Sequence, residues 1–236
     1  MSDSEPQAAG EKDLGPKTEP QVAGEKDLGP KTGPKAGPQA APAAAAGPDS
    51  IVLWTCQAPV VVDTIRRDGV THVKREYVER KYGDAAWSFE VAYGFFRQGA
   101  ERLVPRPAEA ESAIWAYRRE AYAYPTPGSY SLMLEVPRDQ CVLFDLRVWN
   151  KILQLRYVGS SRKEERDFEH ELERQGVKQP GELFSTPFYP VLKRKVTDSW
   201  QRLFASAEGC DDDYVQAGLW EIRSEWVRHC ARLEEV

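Results

Sequence analysis

The order of apolar and polar side chains in the stretch Tyr130–Trp149 predicts two strands followed by a helix. Apolar residues at every second position predict a strand over Tyr130–Val136, with two faces of different character. Pro137 ends this strand because proline has no N–H to give to a neighbouring strand. A second strand is predicted over Cys141–Phe144. Asp145 follows as a helix cap, since its carboxylate can accept from the free N–H groups of the next turn.

The remainder of the chain from Ile51 onward shows strand and helix patterns in irregular succession. Further strands are predicted at Ile51–Gln57, Ala113–Tyr117 and Tyr214–Ile222. Helices are predicted from Pro59 to a capping Gly69, and at Asp84–Leu103, Leu146–Tyr157, Lys163–Arg174 and Leu192–Phe204. Loops are predicted at Arg118–Ser129 and around Pro180–Gly181, while Thr71–Tyr82 fits neither helix nor strand clearly. This order predicts an α+β domain with a mixed or antiparallel sheet flanked by helices, because strands and helices do not alternate strictly.

Residues 1–50 have the composition of a disordered tail. The block Gln7–Thr18 recurs almost unchanged as Gln21–Thr32, and the rest is mainly Pro, Gly, Ala and Lys. Such a segment has few large apolar groups to bury, so burial cannot offset the entropy lost on ordering. We therefore expect one α+β domain over residues 51–236 behind a tail that is either a partner-binding arm or a solvated extension.

Composition and charge narrow the class of protein further. The formal net charge of −5 comes from mixed charges, which gives no global attraction to nucleic acid or to an anionic membrane. The four cysteines are widely spaced and only three histidines are present, so the sequence predicts no metal site and reduced thiols. The N-terminus lacks the features of a secretory signal, and no run of about 20 apolar residues could span a membrane. A cytoplasmic location without a membrane partner is expected.

Short motifs in a defined order carry a resemblance to a known family. They are Leu53-Trp54-Thr55 with Gln57, Ile114-Trp115-Ala116-Tyr117, Glu135-Val136-Pro137, Leu143-Phe144-Asp145 with Trp149, Ser199-Trp200 with Phe204, and Val215-Gln216-Ala217 with Trp220 and Ile222. In this order they resemble a bacterial family known only as the domain of unknown function number three-eight-four-one, over residues 51–236. The resemblance implies a common fold and no established activity. Cys56 and Tyr117 depart from the aliphatic residue and the tryptophan usual in that family.

The layout of the chain is also similar to that of ADP-ribosyltransferase-like folds. That resemblance implies an enzyme using nicotinamide adenine dinucleotide (NAD), in which Thr55 and Gln57 hold the nicotinamide amide and Tyr130 stacks on it. Gln216, where such folds carry a glutamate, or Glu221 would act at the ribose. Gln216 departs from the pattern, because a neutral amide cannot stabilise the positive charge that develops on the ribose as a carboxylate can.

Other candidate site residues follow from the side chains themselves. Trp54, with Thr55 and Gln57 beside it, is either the aromatic wall of a polar pocket or a core tryptophan. Trp115, Tyr117, Arg118 and Arg119 either stack a base and hold phosphates or form a core strand that runs into a charged loop. We call the following loop, Arg118–Ser129, the tyrosine loop. Its tyrosines Tyr122 and Tyr124, with Tyr130 directly after it, form a mobile lid or a stacking surface, or they are packed locally.

Three functions remain open at this point. The first is an NAD-using transferase with an ADP-ribosyltransferase-like pocket. The second is a non-catalytic module that binds a nucleotide or a nucleic acid through Trp54, Trp115, Arg118 and the tyrosine loop. The third is a protein-interaction domain. The motifs of phosphate-binding loops, dinucleotide-binding folds, zinc proteases and serine hydrolases are absent from the sequence.

Overall fold

The computed structural model describes residue 47 and residues 49–76, 86–124 and 126–234. These residues belong to one compact unit that spans 42–236. The unit is α+β, which confirms the fold class predicted from the order of the elements. The predicted tail over residues 1–50 falls almost entirely outside the described residues, and so do residues 77–82 of the ambiguous segment.

The strands form one large sheet and one small sheet. They are β1 (Ser50–Gln57), β2 (Val70–His72), β3 (Ile114–Tyr117), β4 (Tyr130–Pro137), β5 (Cys141–Asp145), β6 (Val215–Leu219), β7 (Glu221–Arg223) and β8 (Val227–Arg232). The central sheet has six strands in the order β5-β6-β3-β1-β4-β8, and β2 pairs with β7 in the second sheet. The strand pairs are antiparallel throughout both sheets, so the antiparallel form of the prediction is the observed one.

Four of the six helices among the described residues lie between β5 and β6 in the chain. The helices among the described residues are α1 (Pro59–Asp68), α2 (Ala86–Ala100), α3 (Leu146–Leu153), α4 (Arg162–Arg174), α5 (Pro180–Ser185) and α6 (Pro190–Ser199). Short 3-10 turns connect several of these elements, including Glu120–Tyr122, Trp200–Ala205 and Asp212–Tyr214.

The stretch Tyr130–Trp149 forms the predicted strand, turn, strand and helix. β4 pairs along its whole length with β1, from Gln57 opposite Tyr130 to Ser50 opposite Pro137. A 3-10 turn follows Pro137, and β5 then leads into α3. The Asp145 carboxylate accepts from the backbone N–H of Arg147 at 2.7 Å, which confirms Asp145 as the cap of α3.

α1 lies against one face of the sheet between a proline start and a glycine stop, as predicted. Pro59 occupies the first turn, where its missing N–H would have no helical partner. Gly69 adopts φ +77°, a left-handed conformation that suits glycine, and its N–H donates to the Ile65 carbonyl at 3.0 Å. The chain then turns directly into β2, and Val62 and Ile65 are buried against the sheet.

The central sheet has a separate hydrophobic core on each face. We call the face under α1 the α1 face and the opposite one the helical face. On β3, Ile114 and Ala116 pack into the core of the α1 face. Trp115, between them, packs into the core of the helical face. That second core is built largely from α2 to α6 and contains 21 buried residues among those that the structure describes.

The predicted strand Tyr214–Ile222 is wrong in its extent, because two elements of different sheets occupy it. β6 ends at Leu219, and Glu221 already belongs to β7 in the small sheet. Between them Trp220 is buried, and its indole N–H donates to the Val104 carbonyl at 2.9 Å, which anchors the chain where it changes sheet. The last strand of the central sheet is instead β8. Its sequence VRHCAR shows no clear apolar alternation because β8 is an edge strand with several exposed residues.

Several predicted helix limits also differ from the observed ones. The helix predicted over Leu146–Tyr157 ends at Leu153, and the buried Leu155 turns the chain with φ +56°. The predicted linker at Pro180 is the first turn of α5, where proline is favoured. The helix predicted over Leu192–Phe204 begins at Pro190 and tightens into a 3-10 turn after Ser199. Of the helix predicted over Asp84–Leu103, residues 84 and 85 lie outside the described residues, and the helix ends at Ala100.

Candidate functional site

One row of side chains crosses the helical face of the central sheet from edge to edge. Opposed residues on antiparallel strands project from the same face, so the register of the strands decides which side chains are neighbours. From the β5 edge to the β8 edge the row contains Phe144, Gln216, Tyr117, Trp54, Met133 and His229. We call it the aromatic–amide row. It brings together Trp54, Tyr117 and Gln216, which the sequence predicted as site residues.

Gln216 is the polar member of this row, and half of its amide has no partner. Its Nε2 donates to the Tyr117 hydroxyl at 3.1 Å, and Gln216 is only 2% exposed. Its Oε1 has no hydrogen-bond partner among the described residues. Exchanging the two amide positions would leave Nε2 unpaired instead, so one buried amide atom lacks a partner in either orientation. In the orientation of the structure that atom is the acceptor Oε1, so its missing partner is a donor. A buried acceptor without a partner costs about 1–3 kcal/mol, so its presence calls for an explanation.

The loop after β3 borders the row with a third aromatic side chain. The Tyr124 ring meets the Tyr117 ring edge-on, with centroids 5.8 Å apart. Tyr124 is 65% exposed and has φ +52°, a conformation that residues with a side chain rarely adopt. Such strained residues cluster at functional sites. The loop is tied to the sheet by Ser131, whose hydroxyl donates to Glu120 at 2.8 Å.

Trp115 is part of the helical-face core. The centroid of its ring lies 5.0 Å from the Phe96 ring centroid and 5.1 Å from the Trp149 ring centroid. The Trp115 ring also packs against those of Phe144 and Tyr93. Four aromatic neighbours surround it, in the edge-on and tilted geometries that aromatic rings favour. The structure therefore places Trp115 in the packing that supports the row.

Arg118 and Arg119, the predicted phosphate ligands, are each paired with an aspartate. Arg118 donates to both carboxylate oxygens of Asp212, at 3.1 and 3.2 Å, and to the Val52 carbonyl at 2.9 Å. The hydrogen bond from Arg118 is the main cause that lowers the pKa of Asp212 below its usual value. Arg119 donates to Asp213 at 3.1 Å. A phosphate would have to displace these carboxylates.

The same end of the sheet carries a third arginine–aspartate pair, between Arg147 and Asp145. Arg147 Nη2 lies 2.6 Å from an Asp145 carboxylate oxygen, and its guanidinium covers the Tyr214 ring at 4.2 Å. Burial would raise the pKa of Asp145, but the hydrogen bonds and charge of Arg147 outweigh it and the pKa is lowered. Asp145 in turn raises the pKa of Arg147. This pair orients the start of α3, since Asp145 is also its cap.

Thr55, Gln57 and Tyr130 lie on the α1 face, away from the row. The Thr55 hydroxyl donates to the Trp115 carbonyl at 2.9 Å and accepts from Gln57 Nε2 at 2.7 Å, so both of its functions are satisfied. Gln57 is opposite Tyr130 in the register of β1 and β4. The Arg66 guanidinium lies over the Tyr130 ring at 5.6 Å. The predicted nicotinamide ligands thus share one face, while Gln216 projects from the other.

Glu221 lies in the small sheet, in contact with residues that the sequence did not single out. One carboxylate oxygen is 3.0 Å from His72 Nε2, and the other accepts from Arg223 Nε at 2.5 Å. The Glu221 side chain is only 9% exposed. Gln216 and Glu221, both predicted to act at a ribose, therefore belong to different sheets. No spacing in the sequence pointed to His72, because its partner is 149 positions away.

A comparison with protein-family models gives a match over residues 52–228 to the family described as Domain of unknown function (DUF3841). The chain belongs to this family. A search of curated proteins and a search of solved structures gave no significant match. The family resemblance predicted from the motifs is confirmed, and the resemblance to ADP-ribosyltransferase-like folds stays a prediction.

The matched range of the DUF3841 domain holds the whole aromatic–amide row except His229, on the edge strand β8. Within the described residues, no three His, Cys, Asp or Glu side chains are grouped as a metal site would require. None of the described helices is long and apolar enough to cross a bilayer.

Proposed function

We propose that this DUF3841 domain is a binding module for a nucleotide whose planar ring lies against Trp54, Tyr117 and Tyr124. Stacking on aromatic side chains contributes about 1–3 kcal/mol per base and tolerates different bases. The observation that carries the proposal is the buried Oε1 of Gln216, which has no partner among the described residues and lies beside the aromatic surface. A ligand with an N–H on its ring edge would donate the hydrogen bond that the Gln216 oxygen lacks.

The missing hydrogen bond restricts the chemistry of the ligand. Adenine and cytosine carry an exocyclic amine that can donate to an amide oxygen. The carboxamide of nicotinamide offers a donor of the same kind, so NAD remains a candidate ligand through either of its rings. A ligand that presents only acceptors would leave the Gln216 oxygen unpaired and buried, which costs affinity.

Entry to the site requires a local movement of the tyrosine loop. Gln216 is 2% exposed, whereas Tyr124 is 65% exposed and its ring meets the Tyr117 ring edge-on. We propose that a movement of the Tyr124 side chain opens a path to the Tyr117 hydroxyl and to the Gln216 amide that is bonded to it. The left-handed backbone of Tyr124 favours such a change, because leaving that conformation relieves strain.

The charges of the site argue against group transfer and against the binding of a nucleic-acid chain. Gln216 is neutral and cannot stabilise a positive charge on a ribose as a carboxylate does. The Glu221 carboxylate is held by His72 and Arg223 in the other sheet. Arg118 is already paired with Asp212, so a phosphodiester chain gains little from this guanidinium.

Thermal denaturation and calorimetric titration of the full-length protein test the proposal. The ligands are AMP, CMP, NAD and the NAD analogue with a nicotinic acid in place of nicotinamide. A ligand at a hundredfold excess over its Kd stabilises the native state by about 2.7 kcal/mol, which raises the Tm measurably. We expect at least one ligand with an N–H donor to bind. If nicotinamide is the ring recognised, the nicotinic acid analogue binds more weakly than NAD.

Gln216→Leu is the decisive variant, and Gln98→Leu on the exposed side of α2 is its control. Gln216→Leu removes the unsatisfied buried oxygen, which favours the folded state, and the hydrogen bond to the Tyr117 hydroxyl, which costs about 1 kcal/mol. Because these effects oppose each other, the variant without ligand should be about as stable as the native protein. It should also lose the ligand-induced rise in Tm, which Gln98→Leu retains. The proposal would be refuted if none of the ligands binds the native protein and Gln216→Leu is less stable than the native protein. That result would favour a protein-interaction domain. NAD hydrolysis or transfer by the native protein would instead establish an enzyme.

A further inference from the structure

A half-open cavity lies on the α1 face, on the side of the sheet opposite the aromatic–amide row. Its volume is about 250 Å³. It lies between α1, β4 and the segment that leads into β8, and its lining consists of Val62, Ile65, Arg66, Leu132, Ser224, Val227 and Cys230. We call it the α1–β8 cavity. Because it lies on the other face, it is independent of the proposed nucleotide site.

Most of this cavity is apolar. Val62, Ile65 and Leu132 are buried residues of the α1-face core, and they form its inner part. An apolar cavity of about 150 Å³ is large enough to bind benzene. By the same measure the α1–β8 cavity would hold an apolar group of roughly six to ten carbon atoms.

The outer part of the cavity is lined by the positively charged Arg66, whose ion pair with an acidic side chain is weak. Arg66 Nη2 is 3.9 Å from the Cys230 thiol, and its guanidinium lies over the Tyr130 ring. Among the described residues its acidic partner is Asp63 at 3.7 Å, and both side chains are more than half exposed. Such exposed pairs contribute little. By contrast, Arg147 holds its aspartate at 2.6 Å.

We infer that the α1–β8 cavity binds a small monocarboxylate with an apolar body. The hydrocarbon would occupy the space over Leu132, and the carboxylate would meet Arg66 at the opening. Guanidinium groups suit this role, since they bind carboxylates through two parallel hydrogen bonds. Burying the apolar body supplies affinity, and the charge pair selects an acid over a neutral molecule of the same length.

Calorimetric titration of the full-length protein with octanoate, octan-1-ol and acetate tests this inference. Octanoate should bind, octan-1-ol should bind more weakly, and acetate should show no binding because it has no body to bury. Arg66→Leu should reduce octanoate affinity by about tenfold or more and leave octan-1-ol affinity nearly unchanged. Arg67→Leu is the matched control. That neighbouring side chain is 72% exposed and pairs with Asp68 at 2.7 Å, so octanoate affinity should be retained.

Two further measurements separate the cavity from a general surface effect. Val227→Phe fills the cavity from the edge strand and should abolish binding of both octanoate and octan-1-ol. Bound octanoate should slow the alkylation of Cys230 by N-ethylmaleimide, measured by mass spectrometry, and leave Cys210 unchanged. The inference is overturned if octanoate does not bind, or if it binds Val227→Phe as well as the native protein. Equal octanoate affinity in Arg66→Leu would overturn the assignment of a carboxylate.

Discussion

Replacing Gly218 by alanine would place a methyl group inside the space of the Phe96 ring. A Cβ at this position lies 2.4 Å from Phe96 Cζ and 2.8 Å from Cε1. Carbon atoms in contact are normally about 3.5–4.0 Å apart, so the ring would have to move by roughly 1 Å or more. Phe96 is 2% exposed, and its ring centroid lies 5.0 Å from that of Trp115 and 5.4 Å from that of Phe144. These two rings oppose the movement of Phe96.

Overpacking of this kind costs about 1–3 kcal/mol, and the crowding around Phe96 places Gly218→Ala in the upper half of that range. Urea denaturation at 25 °C should therefore show a free energy of unfolding about 2 kcal/mol lower, with an unchanged denaturant slope. In a domain of this size the Tm should fall by roughly 4–8 °C.

Gly94→Ala is the control, since a Cβ there meets nothing within 4 Å. It should stabilise α2 by about 0.5–1 kcal/mol.

A double-mutant cycle with Phe96→Leu tests the stated cause. The smaller side chain leaves room for the new methyl group, so the double variant should be more stable than the sum of the single effects predicts. A coupling of about 1 kcal/mol or more is expected for residues in direct contact. The reasoning is refuted if Gly218→Ala costs less than about 0.5 kcal/mol, the size of an ordinary surface substitution, or if the two substitutions are additive.

Three further predictions follow from individual contacts. Hydrogen bonds from Arg228, Ser50 and Gly47 lower the pKa of Glu135 to about 2. Its stabilising effect is therefore present above the unfolded-state pKa and lost as the pH falls toward 2. Glu135→Gln should be less stable than the native protein at pH 7, and urea denaturation should show the difference disappearing toward pH 2. Asp145→Ala removes the cap of α3 and should cost about 0.5–2 kcal/mol in the same assay, and a cost near zero would contradict the capping role. Burial raises the pKa of the Cys141 thiol to about 11, so Cys141 should react with iodoacetamide at pH 8 only after unfolding.

Local sequence patterns were enough to predict several elements of this fold. Each of those elements carries its own signal within a few residues. β4 alternates apolar residues and ends at Pro137, α1 begins at Pro59 and ends before Gly69, and Asp145 caps α3. These effects depend on backbone conformation and on hydrogen bonds to near neighbours in the chain, so they act the same way wherever the segment lies in the fold. The α+β class followed from the order of such elements.

Only the tertiary structure decided which side chains meet. Trp54, Tyr117 and Gln216 became neighbours through strand register, which brings together residues up to 162 positions apart in the chain. Register also placed Thr55 and Gln57 on the other face, since neighbouring strand residues alternate between faces. At Trp220 the chain leaves β6, and Glu221 joins a second sheet; the hydrogen bond that Trp220 makes there is to Val104, 116 positions away, so no local pattern encodes it. A sequence pattern shows that a residue is polar or aromatic, but its partners depend on how the strands pair.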